Sequence, residues 1–165
     1  MNKVISPSTR RRLDVQGFTD VGDEVLAEVG PWLRLAFGLC TLLAFLGTAL
    51  ASPIILWSLV PIAALGAVFP THPFDLIYNF GIRHITKTRT LPKQGAPSRF
   101  ACGMGAVWLV ITGLLFQSGL TIAGYVFGGM LCVIGLLVST IDLCIPSLIY
   151  RSIFGFSSMN KKVKA

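Results

Sequence analysis

What this chain lacks most is charge. Only 13% of its 165 residues are Asp, Glu, Lys or Arg, about half the share typical of a soluble domain. No charged residue falls between Arg34 and Asp75, a gap of 40 residues, or between Arg99 and Asp142, a gap of 42. These gaps exclude a surface solvated all round, and an apolar content of 53% excludes disorder. Cysteine is sparse as well. Four widely spaced cysteines do not make a disulfide scaffold in a chain of this size. His72 and His84, the two histidines, lie outside the apolar runs, so no haem or metal between helices is expected. P-loop, dinucleotide-binding, catalytic-triad and HExxH patterns are all missing. A cleavable leader is not expected either, because about thirty mixed-charge residues precede the first apolar run.

What is present is apolar length. One membrane crossing takes about 20 residues, so each gap is long enough for two. Charge at mid-membrane costs on the order of 3 kcal/mol, which accounts for its exclusion. Leu50-Ala51-Ser52-Pro53 breaks the first gap and Gln117-Ser118-Gly119 the second. The expected helices are 33–51, 53–69, 100–117 and 120–141, with a kink at Pro61. The fold class is therefore an all-α membrane protein: four transmembrane helices in two tight hairpins, with an interfacial amphipathic helix after each hairpin. The expected organisation is an N-terminal segment 1–30, a transmembrane domain 31–155 with a loop at 70–99, and a basic tail 156–165.

Orientation follows from the basic residues. All 14 fall in the N-terminal segment, the central loop or the tail, which four crossings place on one side. The positive-inside rule puts that side in the cytoplasm, giving a multi-pass membrane protein with both termini cytoplasmic. The net charge of +7 then belongs to membrane topology, and no nucleic-acid partner is expected.

Outside the apolar runs, Phe18, Val21, Val25 and Val29 share one face of a short helix at 18–29, stopped by Gly30-Pro31, with acidic residues opposite. That acidic face meets either water or the basic loop. In the loop, Phe74, Ile77, Tyr78, Ile82 and Ile85 share one helical face, with Asp75, Asn79, Arg83 and Lys87 opposite, as in a helix lying in the membrane plane. Pro146–Arg151 forms a similar element around Tyr150. Leu-Ile-Tyr recurs at 76–78 and 148–150, a weak sign of parallel duplication. Asp75 and Asp142 are expected to pair with Arg83, Arg99 or Arg151 near the interface alongside His72.

Cys40 lies in a small-residue stripe with Ala44, Gly47 and Ala51. Cys132 lies in another with Gly124, Gly128, Gly135 and Ser139. Such stripes let helix backbones approach, so both cysteines read as packing residues. Cys102 starts the third helix and Cys144 follows the fourth, so they could meet as a thiol pair. Redox or sulfur chemistry would then be their role, against the plainer alternative of two packing cysteines. On a straight fourth helix their depths differ by roughly 14 Å, which only a hinge between Asp142 and Pro146 would close.

The run His72-Pro73-Phe74-Asp75-Leu76-Ile77-Tyr78-Asn79-Phe80-Gly81-Ile82-Arg83-His84, with Arg99-Phe100-Ala101-Cys102-Gly103, Val107-Trp108-Leu109, Cys144-Ile145-Pro146-Ser147 and Tyr150, resembles a bacterial membrane family known as domain of unknown function 4395. The resemblance covers about residues 30–155. It implies a C-terminal Cys-x-x-Cys in many members and a further N-terminal cysteine in some. Here Cys144 matches the first cysteine of the pair and Ser147 stands at the second, and no cysteine precedes Cys40. The implied dithiol is broken unless Cys102 replaces the missing partner.

These readings leave three functions: first a non-catalytic subunit or adaptor of a membrane assembly, then a thiol-redox or sulfur-handling protein using Cys102 and Cys144, then a small-solute transporter or channel. The expected partners are the lipid bilayer and other membrane proteins or further copies of this chain. No cofactor is expected beyond a lipid or quinone held in the bundle.

Overall fold

A computed structural model describes residues 5–155. Among them all regular structure is helical: α1 (Pro7–Gln16), α2 (Asp23–Ala49), α3 (Pro53–Val68), α4 (Pro73–Ile77), a π turn (Tyr78–Ile82), α5 (Arg83–Thr86), α6 (Ala96–Gln117), α7 (Thr121–Ile141) and α8 (Ile145–Phe154). Three helices, α2, α6 and α7, are long and apolar enough to cross a membrane. The α3 helix, 16 residues long, reaches about 24 Å at 1.5 Å per residue, short of a bilayer core of about 30 Å. It makes a fourth candidate together with Pro73–Thr86, from which a bend of 84° separates it. The basic tail expected over 156–165 lies outside the described residues.

The bundle is a ring in which α3 packs chiefly on α6 and α2 on α7, while contacts within each hairpin are fewer. Lipid tails offer no hydrophobic drive for helix association, so close packing of small residues must supply it. The α2–α7 seam is built this way. A Cβ added to Gly128 would lie 2.4 Å from Thr48 Cγ2, and one on Gly135 2.3 Å from Thr41 Oγ1. The two threonines and the two glycines are each seven residues apart, two helical turns, so the antiparallel helices mesh in register. Gly124 receives Phe116 and Gly47 receives Leu56 in the same manner. Much of the outer surface is apolar, with Ile54 78% and Ile122 84% exposed.

The sequence expectations need four corrections. Gly30-Pro31 does not end a helix: α2 runs through Pro31 as one 27-residue element, and nothing helical begins at 18. Pro31 lacks an N–H, so only the Ala27 carbonyl loses its helical partner. Flanking hydrogen bonds continue, and Val29 and Leu33 bury on either side. The loop expected over 70–99 ends early, since α6 starts at Ala96 with Pro97 in its first turn, a position proline suits. The helix after the first hairpin is not one regular amphipathic element. The π turn rotates its face, so Tyr78 and Asp75 are buried while Ile77, Phe80 and Ile85 are exposed. Finally, α1 was unforeseen. Its mixed-charge sequence hides the inward face on which Leu13 and Gln16 are buried.

At one end of the bundle α1, the start of α2, the π turn and the loop before α6 pack around a small core of Leu13, Phe18, Leu26, Val29, Leu33, Tyr78 and Leu91. Burying each of the larger side chains from water is worth about 1.5–3 kcal/mol. The chain crosses itself here at two glycines. A Cβ on Gly95 would lie 2.7 Å from the Gly17 Cα, and Gly17 also takes φ +101° to close α1. Arginines then satisfy the helix-end carbonyls that no helical N–H can reach. Arg99 donates to Ala67 and Val68 at the end of α3, Arg12 to Ile141 and Arg34 to Thr140 at the end of α7, and Arg151 to Asp14 and Val15 near the end of α1.

Candidate functional site

The site starts where α3 ends. Residues 69–72 turn the chain, and the Gln94 N–H donates to the Pro70 carbonyl at 2.7 Å. His72 caps α4 by accepting from the Phe74 N–H on Nδ1 at 3.3 Å, while Asp75 Oδ2 accepts from the His72 N–H at 3.1 Å and from Gln94 Nε2 at 3.2 Å. The imidazole is 2% exposed. With Nδ1 occupied as an acceptor, the neutral ring carries its proton on Nε2. That nitrogen points at Cys40 Sγ, 3.9 Å away on α2.

Burial lowers His72 to about 4 and raises Asp75 to about 6, the latter against the pull of its bonds from His72 and Gln94. Gly66 lets the ring in. A Cβ there would sit 2.6 Å from His72 Cδ2, 3.2 Å from its Nε2 and 3.3 Å from Cys102 Sγ.

Cys102, Cys144, Cys40 and His72 all line one cavity of about 130 Å³, walled elsewhere by side chains such as Phe37, Leu59, Leu109 and Leu131. Cys144 reaches the cavity through the hinge the depth argument required. The α7 helix stops at Ile141, Asp142 turns the chain at φ +57°, and α8 restarts at Ile145. Cys144 holds the N-cap position of α8, where Ser147 Oγ donates to its Sγ at 3.0 Å. Burial raises the Cys144 thiol, while the Ser147 hydroxyl and N–H oppose that rise. All four cysteines are free thiols, and among the described residues no His, Cys, Asp and Glu side chains group closely enough to hold a metal.

The remaining expected residues lie elsewhere. Cys132 sits in the α2–α7 seam beside Thr48, with Gly128 and Gly135. Tyr150 packs on Phe100 and Phe154, and Tyr78 on Trp32. Arg83 is half-buried on α5. The acidic partners differ from those expected: Asp75 binds Gln94 and the His72 N–H, and Asp142 takes a two-pronged bond from Arg34, with Nε to Oδ1 at 2.9 Å. The acidic face of α2 does meet the loop, where Glu28 accepts from the Arg89 N–H at 3.0 Å. Three residues of the site were not foreseen. Ser147 was visible only as the stand-in for a second cysteine. Gly66 carried no sequence signal, and Gln94 looked like an ordinary loop residue.

The family model described as "Domain of unknown function (DUF4395)" matches residues 31–154. The chain belongs to this family. The match spans α2 from Pro31 onward and all of α3 to α8, so every cavity-lining cysteine and His72 lie inside the DUF4395 region. No curated protein and no solved structure matches the chain.

Proposed function

We propose that this DUF4395 protein is a thiol-redox membrane protein in which Cys102 and Cys144 cycle between dithiol and disulfide. The observation that carries the reading is convergence. Three of the four cysteines, from α2, α6 and the α7–α8 hinge, line one cavity with His72, although neighbouring ones are 42 residues or more apart in sequence. In the proposed topology four spans form two hairpins, the charged end faces the cytoplasm of a bacterial inner membrane, and α4 lies along the interface. Cys40 is six residues beyond Arg34, so the thiols lie about 9 Å beneath the charged end.

The apolar cavity wall favours an apolar two-electron acceptor of the quinone class. Two thiols give up two electrons and two protons, a sulfur–sulfur bond forms, and the quinone becomes a quinol. A separate open groove of about 830 Å³ along Arg99, Phe100, Val107, Trp108 and Phe127 suits a lipid chain. The subunit or adaptor reading draws on the broad apolar outer surface, which lipid alone would also cover. It predicts a stoichiometric partner after purification in mild detergent.

The test uses reduced protein in lipid nanodiscs exposed to decylubiquinone, then denatured, alkylated and mapped by peptide mass. Joint protection of Cys102 and Cys144, linked in one peptide pair, is the expected result. Four fully alkylated cysteines after quinone treatment would defeat the proposal.

A further inference from the structure

We propose that Cys40 is a third member of the redox site, exchanging disulfides with Cys102 so that the bond moves between Cys102–Cys144 and Cys40–Cys102. This rests on the redox reading above and extends it. The geometry differs for each sulfur. Cys102 is common to both bonds and lines the cavity with Cys40 and Cys144; its Sγ and His72 Nε2 flank Gly66, at 3.3 and 3.2 Å from a Cβ built there. The outer two each have donors that suit a departing thiolate. Cys144 accepts from the Ser147 hydroxyl at 3.0 Å at the start of α8, where helix N–H groups favour negative charge. Cys40 faces His72 Nε2 at 3.9 Å, and the bond from the Phe74 N–H to Nδ1 leaves the proton on that nitrogen. His72 is therefore a donor to a Cys40 thiolate and not the base that makes it. The cavity of about 130 Å³ has all three cysteines in its lining.

The step balances without an outside reagent. The Cys40 thiolate attacks Cys102 Sγ, the Cys102–Cys144 bond breaks, and Cys144 leaves as a thiolate. The proton that Cys40 gave up ends on Cys144, and no net oxidation occurs. The exchange carries the disulfide from the α8 N-terminus to a point between α2 and α6, about two helical turns inside the charged end.

Three samples in nanodiscs test this, each equilibrated in a glutathione redox buffer, quenched with acid, alkylated and mapped: wild type, Cys144→Ser and Cys40→Ser. Wild type should yield both disulfide peptides, Cys144→Ser the Cys40–Cys102 peptide alone, and Cys40→Ser the Cys102–Cys144 peptide alone. Ser147→Ala removes one donor from Cys144 and should move the wild-type ratio several-fold toward Cys102–Cys144. Finding only the Cys102–Cys144 peptide in wild type, with Cys144→Ser fully alkylated, would overturn the exchange and leave the redox reading standing. Finding no disulfide in any sample would overturn both.

Discussion

Replacing Arg34 with Met should unfasten the charged end of the bundle. Asp142 is 4% exposed, and both its carboxylate oxygens are held by the Arg34 guanidinium. Arg34→Met leaves the aliphatic stem roughly in place but strands a buried carboxylate. Stripping one partner from a buried pair costs about 3–5 kcal/mol, mostly because the remaining charge is uncompensated. The second substitution separates that cause from lost packing. Asp142→Asn in the same chain removes the stranded charge, and asparagine tolerates the left-handed backbone at φ +57°. The double variant should recover most of the loss. It keeps a deficit of about 1–2 kcal/mol for the missing hydrogen bonds, including the one from Arg34 to the Thr140 carbonyl. Thermal unfolding in mild detergent, followed by circular dichroism, reads this as a fall on the order of 10 °C for the single variant and a few degrees for the double. A single variant within 2 °C of wild type, or a double variant no better than the single, would refute the reasoning.

The His72–Asp75 pair gives a pH prediction with opposed signs. Asp75 rises from 3.8 to about 6, so its contribution is present below pH 3.8 and lost as pH rises through 6. His72 falls from 6.5 to about 4, so its contribution is present above pH 6.5 and lost as pH falls through 4. The two nearly cancel, and wild-type stability should be flat between pH 4 and 6.5. Asp75→Asn should make stability rise with pH across that window, by up to about 1.4 kcal/mol per unit, and His72→Gln should make it fall; chemical denaturation at stepped pH checks both slopes. Gly128→Ala drives a methyl into Thr48 and should cost about 1–3 kcal/mol, partly restored by Thr48→Ala, as read by melting temperature. For topology, single cysteines at 119 and at 90 in a cysteine-free chain should label with an impermeant reagent only from outside and only from inside the cell, respectively.

Charge spacing made the helical membrane class and the long spans legible, because a bilayer excludes charge whatever the apolar residues are. It left the end of the bundle obscure, since Arg34 and Asp142 look like mere markers of where the gaps stop. Their pairing depends on α2 packing antiparallel to α7, a choice made by Thr41 and Thr48 against Gly135 and Gly128 that no periodicity reveals. The candidate site was half readable. Cys102 and Cys144 stood out by depth, and the hinge at Asp142 was the stated condition for their meeting. Cys40 fits a small-residue stripe as well as it lines a cavity, so only the turn at His72, brought in over Gly66, shows what it faces. Tyr78 and Asp75 were set on opposite faces because a π turn breaks the 3.6-residue period on which that reading relied.

The central claim is that the buried cysteines work as a redox couple in the membrane. The direct measurement is the intact mass of the protein from freshly isolated membranes, acid-quenched and alkylated in denaturant, with and without prior reduction. The account predicts a population carrying two alkyl groups that converts to four on reduction. Four alkyl groups before reduction, unchanged after quinone treatment of the membranes, would contradict it.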